Sequence, residues 1–527
     1  MYKLDETRFT PRAYQLAIAE SAIRESTLVV LPTGMGKTLI AMLVMQHFLA
    51  TANNKGKVLF LAPTKPLCEQ HYKTIKESMN IPDADENGIA GIALISGAVS
   101  PPKRKELYNS RIVVATPQTI KNDFENLRVA SGFDYSLCVI DEAHRAVGNY
   151  AYTFVAKMCG DKGVQILALT ASPGGNRQKI EETLEALFIK RVEARSETDA
   201  DVQQYMQQVD MKWIEVELSD QLKRCKLTLE QMLNEHLEVL AKFGFPLGKR
   251  PSKMRLFDLR DKILQAENKS TRMLALSQYS TIFNLLHSLE LLETQGVSTF
   301  LNYLERARQK QSEKEKPTKG VERFLNDLRM KKLEEELKGA VEHPKLLKLV
   351  ELVRERPGKK LIVFVQYRDQ IAKIVETLKQ NGFRAERFVG KKDGVTQKEQ
   401  QATVQLFREG GFDILVASSI GEEGLDIPSV DSVIFFEPVP SEIRSIQRRG
   451  RAGRAKSGEV VILITKGTRD EAYYWASRTR EKRMRKIVGN MQTGASGTGS
   501  TAGAKQLKAR SREKSLRQAD LKEFSGD

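Results

Sequence analysis

The chain has 527 residues, too many for one ordinary domain; its length alone suggests about three. Hydrophobic residues make up 41% and charged residues 29%, which supplies material for real cores and excludes a chain disordered throughout. Lys and Arg number 84 against 67 Asp and Glu, a formal net charge of +17, so a polyanion is the natural partner.

Charge alone does not choose between nucleic acid and an anionic membrane. No run approaches the roughly 18 apolar residues that span a bilayer, and the start MYKLDETRFTPRAYQ lacks a signal-peptide core. A cytoplasmic protein with no membrane partner is expected. Cys68, Cys138, Cys159 and Cys225 lie far apart without CxxC or Cys/His ligand spacing, so neither a disulfide framework nor zinc is expected.

From Leu28 to about Arg195, short apolar runs (LVVLP, KVLFLAP, RIVVATP, LCVIDEAH, QILALTAS) alternate with helical stretches. This is the pattern of strands buried on both faces of a parallel sheet, and polar residues collect where each run ends. Next, WIEVEL around Trp213 alternates like a strand that extends a second sheet. An all-helical segment is predicted over roughly Leu218 to Val341. Ser219 caps its first helix, which carries Leu222, Cys225, Leu229, Met232, Leu233 and Leu240 on one face. A second helix runs from Thr271 to Glu293 and stops at Gly296. Gln309 to Gly320 reads as a charged loop, and a last helix carries Phe324, Leu328, Leu333 and Leu337. The sheet rhythm returns at KLIVFVQY, FDILVASS, SVIFFEP and GEVVILIT. After about Val488 the composition is that of a flexible linker (GASGTGSTAGAK); from Arg478 to the end there are 13 basic and 5 acidic residues, a net of +8.

Three motifs carry chemistry. Leu31-Pro-Thr-Gly-Met-Gly-Lys-Thr38 follows an apolar strand and precedes an apolar helix, the context of a phosphate-binding loop, although Leu31 replaces the opening glycine. The backbone N–H groups of Gly34 to Thr38 can cradle phosphates, with Thr33 and Gly36 in the same nucleotide-binding set, Lys37 can pair with the β/γ oxygens, and the Thr38 hydroxyl can hold Mg²⁺. In LCVIDEAH, Asp141 ends a buried strand, where it can position the metal, and Glu142 beside it can orient and deprotonate a water. His144 reads as a coupling residue, because no partner ligands accompany it. Gln447-Arg-Arg-Gly-Arg-Ala-Gly-Arg454 packs guanidinium groups between small residues. It suits either a phosphate-backbone surface or, if its lobe closes over a nucleotide, arginine fingers at Arg451 and Arg454.

The ordered set PTGMGKT, APTKPL, ATPQT, DEAH, TAS, VFVQYRDQ, SSIGEEGLDIP and QRRGRAGR resembles the motif series of superfamily-2 DEAH-type helicases. More narrowly, DEAHRAVGNYAYTFVAK, TASPG, VGKKDGVTQKEQ and the helical segment resemble the archaeal Hef helicase and its relative, the Fanconi anaemia M translocase. The resemblance implies an α/β fold with two RecA-like parallel-sheet lobes and an all-helical insert between them. The expected division is lobe 1 over 1–195, a linker strand and the insert over 196–342, lobe 2 over 343–488, and a basic tail over 489–527.

The resemblance also implies roles. Arg12 and Gln15 sit where adenine is read, and Gly424 and Asp426 match the motif that approaches the nucleotide from lobe 2. Gln447 belongs with the arginines in the catalytic set. Thr170 and Ser172 match the motif that couples hydrolysis to strand movement. Pro63, Thr64, Lys65, Thr116, Pro117 and Gln118 match a nucleic-acid path in the first lobe, and Gln366, Tyr367, Thr396, Gln397 and Gln400 one in the second. ATP and Mg²⁺ are the implied cofactors. The implied activity is an ATP-dependent DNA helicase or translocase moving 3′ to 5′ on forked or branched DNA, active in fork repair and recombination and associated with the nucleoid. Insert residues Lys249, Arg250, Lys253, Arg255, Arg260 and Lys262 suit branched DNA or simply form a solvated face among Asp258, Asp261 and Glu267.

Hef chains that continue into a nuclease carry an acidic cluster and helix-hairpin-helix repeats; neither occurs before Asp527, so no strand cleavage is expected. Gln518, Leu521 and Phe524 have the spacing of a sliding-clamp peptide, or are an ordinary solvated tail. The rival activities are a double-stranded RNA translocase of the RIG-I/Dicer type and a clamp-recruited non-catalytic scaffold.

Overall fold

A computed structural model describes residues 2–5, 7–54, 56–84, 88, 90–126, 129, 132–148, 150–174, 176–196, 199–205, 210–248, 251–313, 318–390, 394–418, 430–438 and 458–494. The chain forms two units: residues 1–206 together with those from 479 on, and residues 207–478.

The first unit opens with α1 (Ala13–Arg24) and β1 (Thr27–Val30) and then alternates: α2 (Lys37–Asn54), β2 (Val58–Leu61), α3 (Lys65–Ser78), β3 (Ile92–Ile95), α4 (Pro101–Leu107), β4 (Ile112–Ala115) and α5 (Pro117–Lys121). It continues with β5 (Leu137–Ile140), α6 (Ala151–Lys162), β6 (Gln165–Thr170), α7 (Arg177–Ala186), β7 (Arg191–Ala194) and α8 (Ala200–Gln203). All seven strands are parallel, in the order β3-β4-β2-β5-β6-β1-β7. β1, β2, β4 and β5 are buried at every residue, which is why they read as unbroken apolar runs. Lobe 1 runs past the expected boundary at 195. Val202 of α8 is fully buried in the core that α1 and α2 share, which draws the chain as far as 205 into this unit.

The second unit begins with β8 (Asp210–Val216), followed by six helices: α9 (Asp220–Lys242), α10 (Lys253–Leu264), α11 (Lys269–Thr294), α12 (Val297–Ser312), α13 (Lys319–Asn326) and α14 (Leu328–Leu337). Then come α15 (Pro344–Arg354), β9 (Leu361–Phe364), α16 (Arg368–Gln380), β10 (Ala385–Phe388), α17 (Gln397–Glu409), β11 (Ile414–Ala417), β12 (Ser432–Phe435), β13 (Glu459–Thr465) and α18 (Arg469–Gly494). This sheet is also parallel, in the order β10-β11-β9-β12-β13-β8, so the WIEVEL strand forms its edge.

Ser219 caps α9 by accepting from the Leu222 N–H, and Leu222, Cys225, Leu229, Met232, Leu233 and Leu240 are all buried. Two readings of the insert need correction. Residues 309–312 are the last turn of α12 rather than loop; the bidentate Arg308–Glu334 pair ties this end of α12 to α14. The single last helix is two, because Asp327 caps α14 by accepting from the Arg329 N–H. The break resets the helical phase: Leu328 is 82% exposed, and Met330 takes the buried position instead. The tail boundary at 489 also moves, since α18 continues to Gly494 and its residues from 479 cluster with the first unit.

Buried polar groups join the insert to the second sheet. His343 is fully buried at the start of α15, donating Nε2–H to the Glu293 carbonyl and accepting the Lys345 N–H at Nδ1. Burial, with the neighbouring Lys345 charge, pushes its pKa down to about 3. In the unfolded chain the imidazole takes up a proton below about 6.5. Its contribution to stability is therefore complete above that value and is lost as pH falls towards 3. Urea unfolding at pH 7 and pH 5 is expected to reveal this loss, and His343→Asn, which keeps a helix-capping side chain, is expected to flatten it.

Candidate active site

β5, β6 and β1 are neighbours, so the segments leaving their carboxyl ends meet along one edge of the first sheet. The Leu31 N–H donates to the Thr170 carbonyl, closing the loop after β1 onto the end of β6. Gly34 and Gly36 adopt φ of +84° and +78°, a backbone that residues with a Cβ rarely take. The loop leads directly into α2, whose first residues are Lys37 and Thr38, and presents that helix's N-terminus to the site. Lys37 Nζ lies over the loop, donating to the carbonyls of Leu31 (2.9 Å) and Pro32 (3.3 Å).

The loop is braced from α1 by residues placed at the adenine position by resemblance. Tyr14 Oη and Gln15 Nε2 both donate to the Met35 carbonyl, at 2.9 and 3.1 Å, while Gln15 Oε1 accepts the Arg12 N–H. Gln15 is only 3% exposed, so its amide supports the loop backbone in this conformation. Arg12 lies over the Tyr205 ring at 4.8 Å.

This brace makes a specific prediction. A Cβ on Gly36 would come within 2.4 Å of Gln15 Nε2, whereas one on Gly34 meets nothing within 4 Å. Gly34→Ala carries only the left-handed backbone cost, about 1–2 kcal/mol; Gly36→Ala carries that and displaces the brace. Binding of a fluorescent ATP analogue is expected to weaken more in Gly36→Ala, by about ten-fold or more on adding a lost hydrogen bond. Equal losses in the two variants would remove Gln15 from the loop's support.

Asp141 follows β5 and is 7% exposed. Its Oδ2 meets His71 Nε2 of α3 at 2.8 Å, and Tyr152 Oη donates to its carbonyl at 2.7 Å. Burial favours the protonated acid, but the His71 hydrogen bond and charge, with the Lys37 charge, hold the carboxyl below its usual range. Asp141 thus stays an anion within the field of Lys37. Glu142 takes the left-handed conformation, φ 51° and ψ 46°, an outlier for a residue with a side chain. Its Oε2 lies 3.3 Å from His144 Nδ1. Burial, aided by the Arg145 charge, lowers the His144 pKa to about 4, so the imidazole is neutral at physiological pH.

His144 leads to the end of β6: its Nδ1 is 3.2 Å from Thr170 Oγ1, which donates to the Ser172 carbonyl and accepts the Ser172 N–H. Thr170 and Ser172 are fully buried, and Ser172 Oγ donates to Met484 Sδ of α18 at 2.8 Å. The structure therefore brings Glu142, His144, Thr170 and Ser172 close together beyond the ends of β5 and β6, with His144, Thr170 and Ser172 linked by hydrogen bonds and Asp141 held separately by His71 and Tyr152.

The first-lobe path residues sit at the amino ends of α3 and α5, beyond the adjacent strands β2 and β4. Thr64 precedes α3, Lys65 is its first residue, and Thr116 caps α5 by accepting the Thr119 N–H, with Pro117 next. Gln118 Nε2 donates to Asn122. Asp123, just after α5, is gripped bidentately by buried Arg104 at 2.6 and 2.8 Å and by Tyr108, which fixes this segment.

In the second unit the residues diverge. Gln366 is exposed, its N–H donating to Glu437; Tyr367 packs against the insert core, its phenol pKa raised by burial and by Glu290. Thr396 caps α17 in a capping box with Glu399. Gln400 is 6% exposed and donates to the Val389 carbonyl, a supporting position rather than an open one. Arg255 and Lys262 of the insert are exposed on α10. Gly424, Asp426, Gln447, Arg451, Arg454, Gln518, Leu521, Phe524, Lys249 and Arg250 lie outside the described residues.

Three residues of this site carried no signal in the sequence. His71 lies 70 positions from Asp141, and nothing local in KPLCEQHYKT marks it. Tyr14 and Tyr152 are buried, and nothing in their local sequence marks the hydrogen bonds that their hydroxyls make.

Two parallel sheets, a glycine loop closed by a lysine and an acid pair two strands along the same sheet edge are the marks of a nucleoside-triphosphate-driven enzyme. Family models agree: DEAD/DEAH box helicase over residues 12–180, the helicase conserved C-terminal domain over 344–456, and the helical bundle of an ATP-dependent RNA helicase over 221–343. The crystal structure of the Pyrococcus furiosus Hef helicase domain is 40% identical, with a TM-score of 0.69, covering 90% of this chain and all of that one. The chain belongs to the Hef helicase-domain family of DEAD/DEAH box ATP-dependent helicases. MJ1505 of Methanocaldococcus jannaschii, which bears an ATP-dependent RNA helicase name, is 41% identical over 491 residues; these are 91% of this chain and 61% of that protein. The ATP-dependent DNA helicase mph1 of Sclerotinia sclerotiorum is 30% identical over 515 residues, 90% of this chain and 41% of that protein. The chain thus spans only part of the length of these relatives. No helix among the described residues is long and apolar enough to cross a membrane.

Proposed function

We propose that this chain couples ATP hydrolysis to 3′ to 5′ movement along DNA, with forked or branched DNA as its preferred substrate, in the repair of replication forks. One observation carries the reading: Lys37, Asp141, Glu142, His144, Thr170 and Ser172 gather along one sheet edge, in a chain of the Hef family. The DNA helicase name of the mph1 relative supports DNA over RNA, and the Hef resemblance supports branched substrates and polarity.

The residues fit ATP and Mg²⁺. The N-terminus of α2 and Lys37 would hold the phosphates, while Thr38 and Asp141, an anion despite its burial, would hold the metal. Bound Mg²⁺ neutralises phosphate charge. Glu142 orients a water and takes its proton, and neutral His144, close to both the Glu142 carboxylate and Thr170 Oγ1, relays the change in Glu142 to Thr170 and Ser172. By the family resemblance, Arg451 and Arg454 stabilise the charge on the departing phosphoryl group, and Gln447, Gly424 and Asp426 belong to the same nucleotide-binding set. The amino ends of α3 and α5 hold the phosphate backbone, with Gln366, Thr396 and Gln397 continuing the track. The tail peptide at Gln518, Leu521 and Phe524 recruits a sliding clamp.

A strand-displacement panel on 3′-tailed, 5′-tailed, forked and four-way DNA tests substrate and direction together. Displacement of 3′-tailed and forked substrates is expected, with 5′-tailed DNA inert. ATPase stimulation by duplex RNA alone would instead establish the RIG-I/Dicer type of activity. Loss of all activity on deleting residues 516–527 would favour the scaffold.

A further inference from the structure

The chain has two tryptophans, and the fold brings both to one surface of the second unit. Trp213 lies on edge strand β8 and is 43% exposed; Trp475 lies in α18 and is 57% exposed. Tyr474 joins them, its ring 6.0 Å from that of Trp213 and 5.2 Å from that of Trp475, tilted edge-on to both. Arg478 lays its guanidinium over Trp213 at 5.1 Å and over Tyr474 at 6.0 Å, and donates Nη1–H to Tyr474 Oη at 2.6 Å. Among the described residues it has no carboxylate partner, so its charge rests on ring faces.

The cluster is anchored as well as exposed. Tyr474 and Met211 pack against the core formed by β9, β12 and β13, which holds the rings in place before anything binds. Exposing two indoles is costly unless they meet a partner, and none of the motif residues uses them. The composition suits bases: every base offers a face to an aromatic ring, and arginine adds a cation without demanding one sequence. Charge points the same way. Trp475 and Arg478 share one face of α18 by their i, i+3 spacing, and the chain carries a net +17. Glu215, on the same side of β8 as Trp213, disfavours phosphate there and leaves the rings to bases.

We propose that Trp213, Tyr474, Trp475 and Arg478 form a stacking site for the bases of single-stranded DNA, apart from the path residues at the helix amino ends. The inference rests on the DNA-translocase reading and adds a second contact to it. Because the only two tryptophans lie here, intrinsic fluorescence of the whole chain reports on this surface, while anisotropy of labelled DNA reports binding anywhere.

Titration with oligo(dT) is expected to quench emission along the same saturation curve as the anisotropy. Duplex DNA of equal length is expected to quench far less. Trp475→Ala is expected to bind oligo(dT) about ten-fold more weakly, and Trp475→Phe, which keeps a ring, to bind as the parent does. Binding by anisotropy without quenching, equal quenching by duplex, or unchanged affinity in Trp475→Ala would overturn the stacking site while leaving the translocase reading intact. No DNA binding by anisotropy would overturn that reading itself.

Discussion

Glu142→Gln is expected to lower ATP turnover by about 10²- to 10⁴-fold, the span typical of losing a general base, while nucleotide and DNA still bind. The amide keeps the size and shape of the carboxylate and cannot take a proton. Glu142 is held in a left-handed backbone at the end of β5, 3.3 Å from His144, which burial keeps neutral. Lys37→Ala is expected to abolish turnover by a different route, weakening nucleotide binding, since its ammonium lies on the loop and its charge reaches Asp141. Single-turnover hydrolysis together with nucleotide affinity separates the two. Unchanged turnover in Glu142→Gln would remove this acid from the chemistry.

The second large effect concerns stability. Lys345 has no exposed side-chain surface, and Nζ donates to the Thr294 and Phe436 carbonyls at 3.0 Å each and to Asp470 Oδ2 at 2.5 Å. One ammonium thereby ties the end of α11, the start of α15, the end of β12 and the start of α18. Asp470 is equally buried and accepts from the Thr465 N–H and hydroxyl. Burial nonetheless raises its pKa, against the pull of Lys345. Lys345→Met leaves that carboxylate buried without its cation and two carbonyls without a donor. The expected loss is about 3–5 kcal/mol, a fall of roughly 10 °C in the melting transition of the second unit. Lys345→Met combined with Asp470→Asn is expected to recover part of it, because no lone charge then remains. A melting temperature within a degree of the parent would show that the pair contributes nothing net.

Sequence and structure agree where one physical constraint dominates. Strands buried on both faces must be apolar throughout, and VLFL, IVVA, LCVI, LIVF, ILVA and SVIF stand out for that reason. Edge strands escape this constraint: β7 (RVEA) and β10 (AERF) carry exposed or half-buried charged residues and gave no apolar run. The loop before Lys37 and the acids after β5 were readable because their chemistry fixes residue types at short spacing.

Long-range pairings were not readable. His71 with Asp141, Lys345 with Asp470 and Trp213 with Tyr474 each join distant segments whose local sequence is unremarkable. Gln15 illustrates a middle case. Its position before the loop was legible, but its engagement with the Met35 carbonyl depends on how α1 packs. The break at Asp327 failed for a local reason: one capping side chain interrupts a helical period that Phe324, Leu333 and Leu337 otherwise satisfy.

The central claim is that the Lys37, Asp141 and Glu142 edge hydrolyses ATP in answer to nucleic acid. ATP hydrolysis by the whole chain with Mg²⁺, measured without nucleic acid and then with saturating forked DNA, tests it most directly. The account predicts slow turnover alone and a rise of at least ten-fold with the fork; turnover that is absent in both conditions, or indifferent to DNA, would contradict it.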